Sequence, residues 1–528
     1  MSITYTHVNK ELYKTYFLVD EPEANVLQRW YPHIWRPSPR FVVRTTRPML
    51  TAEERSTDVQ VTDDKAEIRF EQLDAGFAAR YGNHHRWANV ARLRAWSSTD
   101  RVATTFPCNY RNPSFPRFGF GREHPLPTTE GLVFFPEYRG IHKRWILPNG
   151  TTAINDWFKA SKISARLSDS GRATQQIIQT LGGFWGVSSI ASLGVIELLN
   201  EMTRKPISRS VHYLEFKNKV RNATKDGHLW RGKEYETLVE RNAVQLGLEL
   251  KCSKCGSWSW CSIKQLDYTL TCDLCLRQFS FPIIDPGRSE NSKWAYRVIG
   301  PFALPNYAGG GYAASLAIRF FSEVVGSVDR SDVTWSSGQE LTLPGGKDVE
   351  ADFILWYQRK QLLQPDHPTE VVFGEAKSLG KDVFKDDDVE RMKVLAEAFP
   401  GAVLVFATLK EAAQLSKNEI SRIRKLAEWG RDYDRVNRRT RAPVILLTGT
   451  ELFTAHFLQD SWKSKGGKRA SLIEPAHVEI SHLPTLADFT QQVYLGMPSY
   501  YEWSEARWKK LAERRRQRIK PGQTVKEA

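Results

Sequence analysis

The stretch VVFGEAKSLG, residues 371–380, opens as a buried strand and ends with a glutamate and a lysine two residues apart. Period-two reading puts Glu375 and Lys377 on one strand face and Ala376 on the other. Alone, the triplet carries little weight, because E-x-K recurs at Glu215-Phe216-Lys217 and Glu249-Leu250-Lys251. The preceding strand, DVEADFILWYQ at 348–358, supplies the context. Its alternation predicts Glu350 and Asp352 on one face, with Val349, Ala351, Phe353 and Leu355 on the other. Asp352 then stands among apolar neighbours, where an unpaired charge is costly. If the two strands pair, two carboxylates and an ammonium converge at one end of a sheet. Neither other triplet follows a strand bearing an acid at a suitable distance.

Upstream, GGGYAASLAIRFFSEVVG (309–326) places Leu316, Ala317, Phe320, Phe321 and Val324 at helical spacing and stops at Gly326. The three glycines do not make a phosphate loop: G-x-x-x-x-G-K-[ST] is missing, and no apolar strand precedes them. Glu323 lies seven residues from Leu316, on the helix face that must turn inward. A carboxylate there needs a partner, and a metal ion would be one. Two acids that bind Mg2+ beside a lysine are what metal-assisted phosphodiester hydrolysis requires. The ion polarises the phosphate and lowers the pKa of an attacking water, while the lysine orients that water or stabilises developing charge.

EADFIL, followed 23 residues after its Asp by VVFGEAKS, resembles the PD-(D/E)xK nuclease superfamily, the restriction-endonuclease-like fold. The likeness spans roughly residues 300 to 450, including the helix DDVERMKVLAEAF and the strand AVLVFATL. It implies Asp352 as first metal ligand, Glu375 as second and Lys377 as the catalytic lysine. Glu323, or else Glu340, would be the additional acid, and Mg2+ or Mn2+ the catalytic ion. One departure is visible: Ala351 stands where the motif has proline.

CSKCGSWSWCSIKQLDYTLTCDLC (252–275) carries Cys252, Cys255, Cys272 and Cys275 as C-x2-C-x16-C-x2-C, the spacing of a structural Zn2+ site. It looks like a zinc ribbon of two knuckles. Cys261 is a spare thiol, which the spacing argues against as a ligand. Trp258, Trp260 and Lys264 on the ribbon are candidates to touch nucleic acid, though zinc can also simply staple a small domain.

Five of the six cysteines are crowded here, which favours metal ligation in a reducing, cytoplasmic setting over disulfides. The first residues lack the apolar run of a secretory segment, and no stretch is long and apolar enough to span a bilayer. The 75 Lys and Arg against 60 Asp and Glu, a formal charge of +15, favour a polyanionic partner, with DNA the first candidate.

At 528 residues the expected fold is multidomain α/β, a restriction-endonuclease-like core with a zinc ribbon and an N-terminal α+β region. The divisions read as 1–150, strand-containing and open to protein partners; 151–245, a helical connector; 246–285, the ribbon; 290–475, the nuclease-like domain; and 476–528, a basic helical tail. A basic-aromatic cluster, His84, His85, Arg86, Trp87, Arg92, Arg94 and Trp96, could grip a phosphate backbone and stack bases, but reads first as a solvated, partly buried surface with no catalytic role. The expected function is metal-dependent DNA cleavage in a bacterial or phage-defence (antiviral, restriction-type) effector. The alternatives are a non-catalytic nucleic-acid-binding protein with a degenerate nuclease fold, or a nuclease linked to RNA or transposition.

Overall fold

A computed structural model describes residues 162–203, 210–224, 233–281, 292–325, 331–359, 370–434, 439–475 and 479–518, with a few positions between 151 and 159 and backbone strands before residue 150. The side chains of the His84–Trp96 cluster lie outside the described residues. From Ser164 onward the elements used below are β1 (Ser164–Leu167), α1 (Asp169–Thr180), α2 (Leu193–Met202), α3 (Tyr213–Ala223) and α4 (Glu234–Glu240). They are followed by β2 (Val244–Lys251), β3 (Trp258–Ser262), β4 (Thr269–Thr271), β5 (Gln278–Ser280) and β6 (Ser292–Val298). Next come α5 (Gly311–Arg319), extended by a π-helical turn over Phe320–Val324, then β7 (Ser331–Thr342), β8 (Asp348–Arg359) and β9 (Glu370–Lys377). The chain continues through α6 (Asp386–Ala398), β10 (Val403–Thr408), α7 (Lys417–Gly430), β11 (Val444–Leu447), α8 (Leu483–Tyr494) and α9 (Tyr500–Arg518).

The architecture is mixed α/β. One six-stranded mixed sheet runs β1-β7-β8-β9-β10-β11. It is antiparallel from β1 to β9 and parallel from β9 to β11. The connections explain the change of sense. β7 and β8 join through a tight turn with Gly345 and Gly346 at φ 98° and 80°, conformations open to glycine. β9, β10 and β11 are linked by α6 and α7, and parallel neighbours need such crossovers. Helices cover both faces, so the central strands are buried throughout: all six residues of β10 are buried.

Strands β8 and β9 do lie side by side, antiparallel, with Phe353 opposite Gly374. Continuing that register by one residue sets Asp352 opposite Glu375. The Phe353 ring lies over Gly374 so closely that a Cβ there would sit 2.0 Å from it. Gly374→Ala should therefore destabilise the fold by about 1–3 kcal/mol, read as a lowered melting temperature.

Three expectations need correction. The period-two reading of β8 fails at Asp352: Val349 and Ala351 pack with Ile354 and Trp356 in the core under α6 and α7, whereas Phe353, Leu355 and Tyr357 join the core under α5. The strand is apolar on both faces, so alternation could not fix its phase. The ladder between β7 and β8 is also interrupted there, where the Gly338 carbonyl accepts from the Ser168 N–H (2.9 Å). Nor is 151–245 a separate connector. β1 is the edge strand of the six-stranded sheet, and Ile177, Ile178, Val195 and Leu199 share a core with α5. Likewise α8 is no free tail, since Leu483 and Leu486 are buried and Gln491 donates to the Val444 carbonyl (2.8 Å). Among the described residues no helix is long and apolar enough to cross a membrane.

Candidate functional site

The site lies at the end of the sheet where β8 begins and β9 ends. Asp352 is half-buried, and its Oδ2 accepts the Ala376 N–H at 2.6 Å. Burial first, and then the neighbouring Glu375 charge, push its carboxyl well above the usual range. Glu375 is buried, and burial raises its carboxyl as well. Its Oε1 accepts from Lys377 Nζ (2.7 Å), and Arg391 Nη2 reaches both carboxylate oxygens (3.1 and 3.3 Å). Burial opposes the charge on Lys377, yet Glu375, Asp388 and Asp352 outweigh it and hold the ammonium above its ordinary value.

Asp388 and Arg391 were not foreseen. They stand three residues apart at the start of α6, and Arg391 Nη2 donates to Asp388 Oδ1 (2.7 Å). Asp388 also faces Lys377 Nζ at 3.2 Å. Burial works against its charge, but the Lys385 backbone N–H and the charges of Lys377 and Arg391 hold its pKa below the ordinary value. The available signal was DDDVER, an acid and a base at i, i+3 in the first turn of the helix that follows the E-x-K strand.

Asp352, Glu375 and Lys377 are brought together; Glu323 and Glu340 are not. Glu323 belongs to the turn after α5, near Arg319, and the adjacent Phe321 ring packs on Tyr357 at 6.2 Å. Tyr357 pairs with Val333 and Glu370, at the opposite end of β8 from Asp352. Helical spacing could not give the end of α5, and every residue of that helix is buried, so no inward face is singled out. Glu340 sits at the sheet surface, paired across the ladder with Glu350 and bonded by Arg166 Nε at 2.6 Å. The other two E-x-K triplets serve elsewhere: Glu215 pairs with Lys219 along α3, and Glu249 and Lys251 lie on β2.

Asp352 and Glu375 are the two carboxylates that could hold a hard divalent cation, Glu375 being also bonded by Lys377 and Arg391. Both carboxylates are short of solvent, and the Ala376 amide is the one hydrogen bond Asp352 makes among the described residues. Two acids leave the remaining coordination positions to water, as is usual for Mg2+.

The cysteines form a separate cluster that could hold a metal ion. Cys252, Cys255, Cys272 and Cys275 hold their sulfurs within 4.8 Å of one another, and among the described residues this is the one group of three or more His, Cys, Asp or Glu that does so. Cys252–Cys275 and Cys255–Cys272 Sγ distances are 3.8 and 3.7 Å. A tetrahedral zinc with bonds of about 2.3 Å requires sulfurs about 3.8 Å apart, so the quartet can hold a metal ion and is compatible with structural zinc. The two knuckles repeat one backbone design. Gly256 N–H donates to Cys252 O and Leu276 N–H to Cys272 O, with Gly256 and Leu276 at φ 74° and 57°. The Cys275 backbone N–H, followed by the Ser257 hydroxyl, pulls the Cys272 thiol down to about 5, which favours a thiolate. Cys261 stands outside the quartet on β3 opposite Leu248, and burial raises its thiol.

No family model matches the chain, and no curated protein or solved structure matches it either.

Proposed function

We propose that this chain is a metal-dependent nuclease of the PD-(D/E)xK type, acting on DNA in the cytoplasm, with a zinc ribbon beside its catalytic core. The observation that carries the reading is the meeting of Asp352, Glu375 and Lys377 at one end of a sheet entered by a helix and three antiparallel strands and completed by a helix and a parallel strand. Asp352 and Glu375 would hold Mg2+ or Mn2+, which when bound polarises the phosphate and acidifies a water. Lys377, charged and close to Glu375, is placed to orient the nucleophile or to stabilise the charge that grows on phosphate oxygens. Arg391 and Asp388 fix Glu375 and Lys377 from the side of α6. A role in bacterial or phage defence rests on the resemblance of such domain chains alone.

The closed ion network around Glu375 favours one second reading, a non-catalytic nucleic-acid-binding protein whose acids and lysine serve the fold. Cleavage of plasmid and single-stranded DNA with Mg2+ or Mn2+ separates the two. The wild type should cut, and Lys377→Ala should be slower by at least about a hundredfold, the loss of one charge-stabilising group. Equal rates would remove the assignment.

A further inference from the structure

The four-stranded antiparallel sheet that leads into the cysteine knuckles has one covered face and one open one. Its order is the two-residue strand Val211–His212, then β6, β2 and β3. On one face Leu248 and Leu250 pack with Cys252, Cys272, Leu270 and Phe279, and the Tyr296 ring meets Phe216 of α3 at 5.2 Å. The opposite face carries Trp258 and Trp260 from β3, Glu249 and Lys251 from β2, and Lys293 and Arg297 from β6, as the register requires.

The two tryptophans lie inward across this face. Trp260 covers Gly247, where a Cβ would stand 2.4 Å from its ring, and its Nε1–H donates to the Ala295 carbonyl at 3.0 Å. Arg297 stacks on Trp260 (5.0 Å) and Lys293 on Trp258 (4.7 Å). Trp258 is nonetheless 41% exposed, and Lys251 and Lys293 are exposed beside it. Of the nearby acids, Glu249 accepts the Ser210 hydroxyl, and Asp273 and Glu249 both face Arg297. Glu249 also lies on this face, opposite Lys293 and Trp260, and Lys251 and Lys293 together outnumber it, leaving the end at Trp258 net positive. Next to Trp260 opens a cleft of about 530 Å3, lined also by Gln245, Gln265, Thr271 and Asp273.

We propose that this face binds a single-stranded nucleic acid, with a base stacked on Trp258, a neighbouring base entering the cleft beside Trp260, and the phosphates drawn to Lys251 and Lys293. Exposed aromatic rings set among cations are the general means of holding unpaired strands. The spacing selects against a duplex. Trp258 and Trp260 lie two residues apart on one strand, about 6.8 Å. That is about twice the 3.4 Å between successive bases of a helical strand, so bases docked on both must be splayed apart. The surface is distinct from Asp352 and Glu375 and would bind whether or not the chain cleaves.

The test is fluorescence anisotropy of a labelled oligonucleotide of mixed sequence with the full chain, without added Mg2+, set against its duplex and an RNA strand of the same sequence. The single strand should bind more tightly than the duplex, and the RNA within severalfold of the DNA, because stacking and phosphate attraction do not depend on the 2′-hydroxyl. Trp258→Ala should weaken single-strand binding about tenfold or more, and Trp258→Phe should restore most of it. The pair Lys251→Glu and Lys293→Glu should weaken it too and flatten the salt dependence by about 1.4 in logarithmic slope. Because no divalent metal is added, affinity is read apart from cleavage, which keeps this test independent of the nuclease assignment. Trp258→Ala with unchanged affinity and normal melting, tighter binding of the duplex, or binding of RNA alone would each overturn the proposal.

Discussion

Asp352→Asn is expected to abolish cleavage and, in the same protein, to raise the melting temperature at pH 8 in the absence of divalent metal. The two effects share a cause. An aspartate in an unfolded chain ionises near pH 3.9. In the fold, burial and the Glu375 charge hold the Asp352 proton to higher pH. Between those two values the native state carries the extra proton, so native stability is greatest below the unfolded value and falls as pH rises toward the folded one. Asparagine keeps an oxygen to accept the Ala376 N–H and carries no charge, so the loss at alkaline pH disappears. The melting temperature should rise at pH 8 and differ little near pH 4. Cleavage should drop at least about a thousandfold, since a metal ligand supports several kcal/mol of transition-state stabilisation. A variant that loses activity without gaining stability would mean that Asp352 is satisfied in the resting protein.

Removing metal from the cysteine quartet is the second large expected effect. The core around the knuckles contains only Leu248, Leu250, Cys252, Leu270, Cys272 and Phe279 as buried members. So small a cluster does not hold a hairpin pair alone, whereas structural zinc contributes about 10–16 kcal/mol of apparent binding energy. Chelation, or Cys272→Ser with Cys275→Ser, should therefore abolish hydrogen-exchange protection through β3, β4 and β5. The six-stranded sheet should keep its protection, because its cores lie on either face of β8 to β11. Since β2 pairs with both β3 and β6, the loss should extend partway into β2. Metal content should fall from about one zinc per chain, and Trp258, held on β3, should lose its place with it. Retention of metal by the double serine variant would mean that the C-x2-C spacing misleads here.

What the sequence disclosed was chemistry with short-range order. C-x2-C twice names four ligands, and two strands with acids 23 residues apart bring Asp352 opposite Glu375 once they pair. What it withheld depends on docking. β1 and α1 read as part of a connector because an edge strand of four residues has too little pattern to announce a partner as far on as Gln339–Thr342. The phase change at Asp352 was hidden because both faces of β8 are apolar. Glu323 misled because helical spacing fixes a face and leaves the direction of the helix open, and the chain enters β7 from the end remote from Asp352. Asp388 and Arg391 join Glu375 only through the seating of α6 on β9, which no local pattern encodes.

In the proposed nuclease, Asp352 and Glu375 would hold a divalent cation. Anomalous scattering from crystals grown with Mn2+, recorded near the manganese edge, tests it most directly. A peak between the two carboxylates, lost in Asp352→Asn crystals, is the predicted result. Wild-type crystals with the cysteine-site metal in place, Glu375 still bonded to Lys377 and Arg391, and no manganese at Asp352 would contradict it.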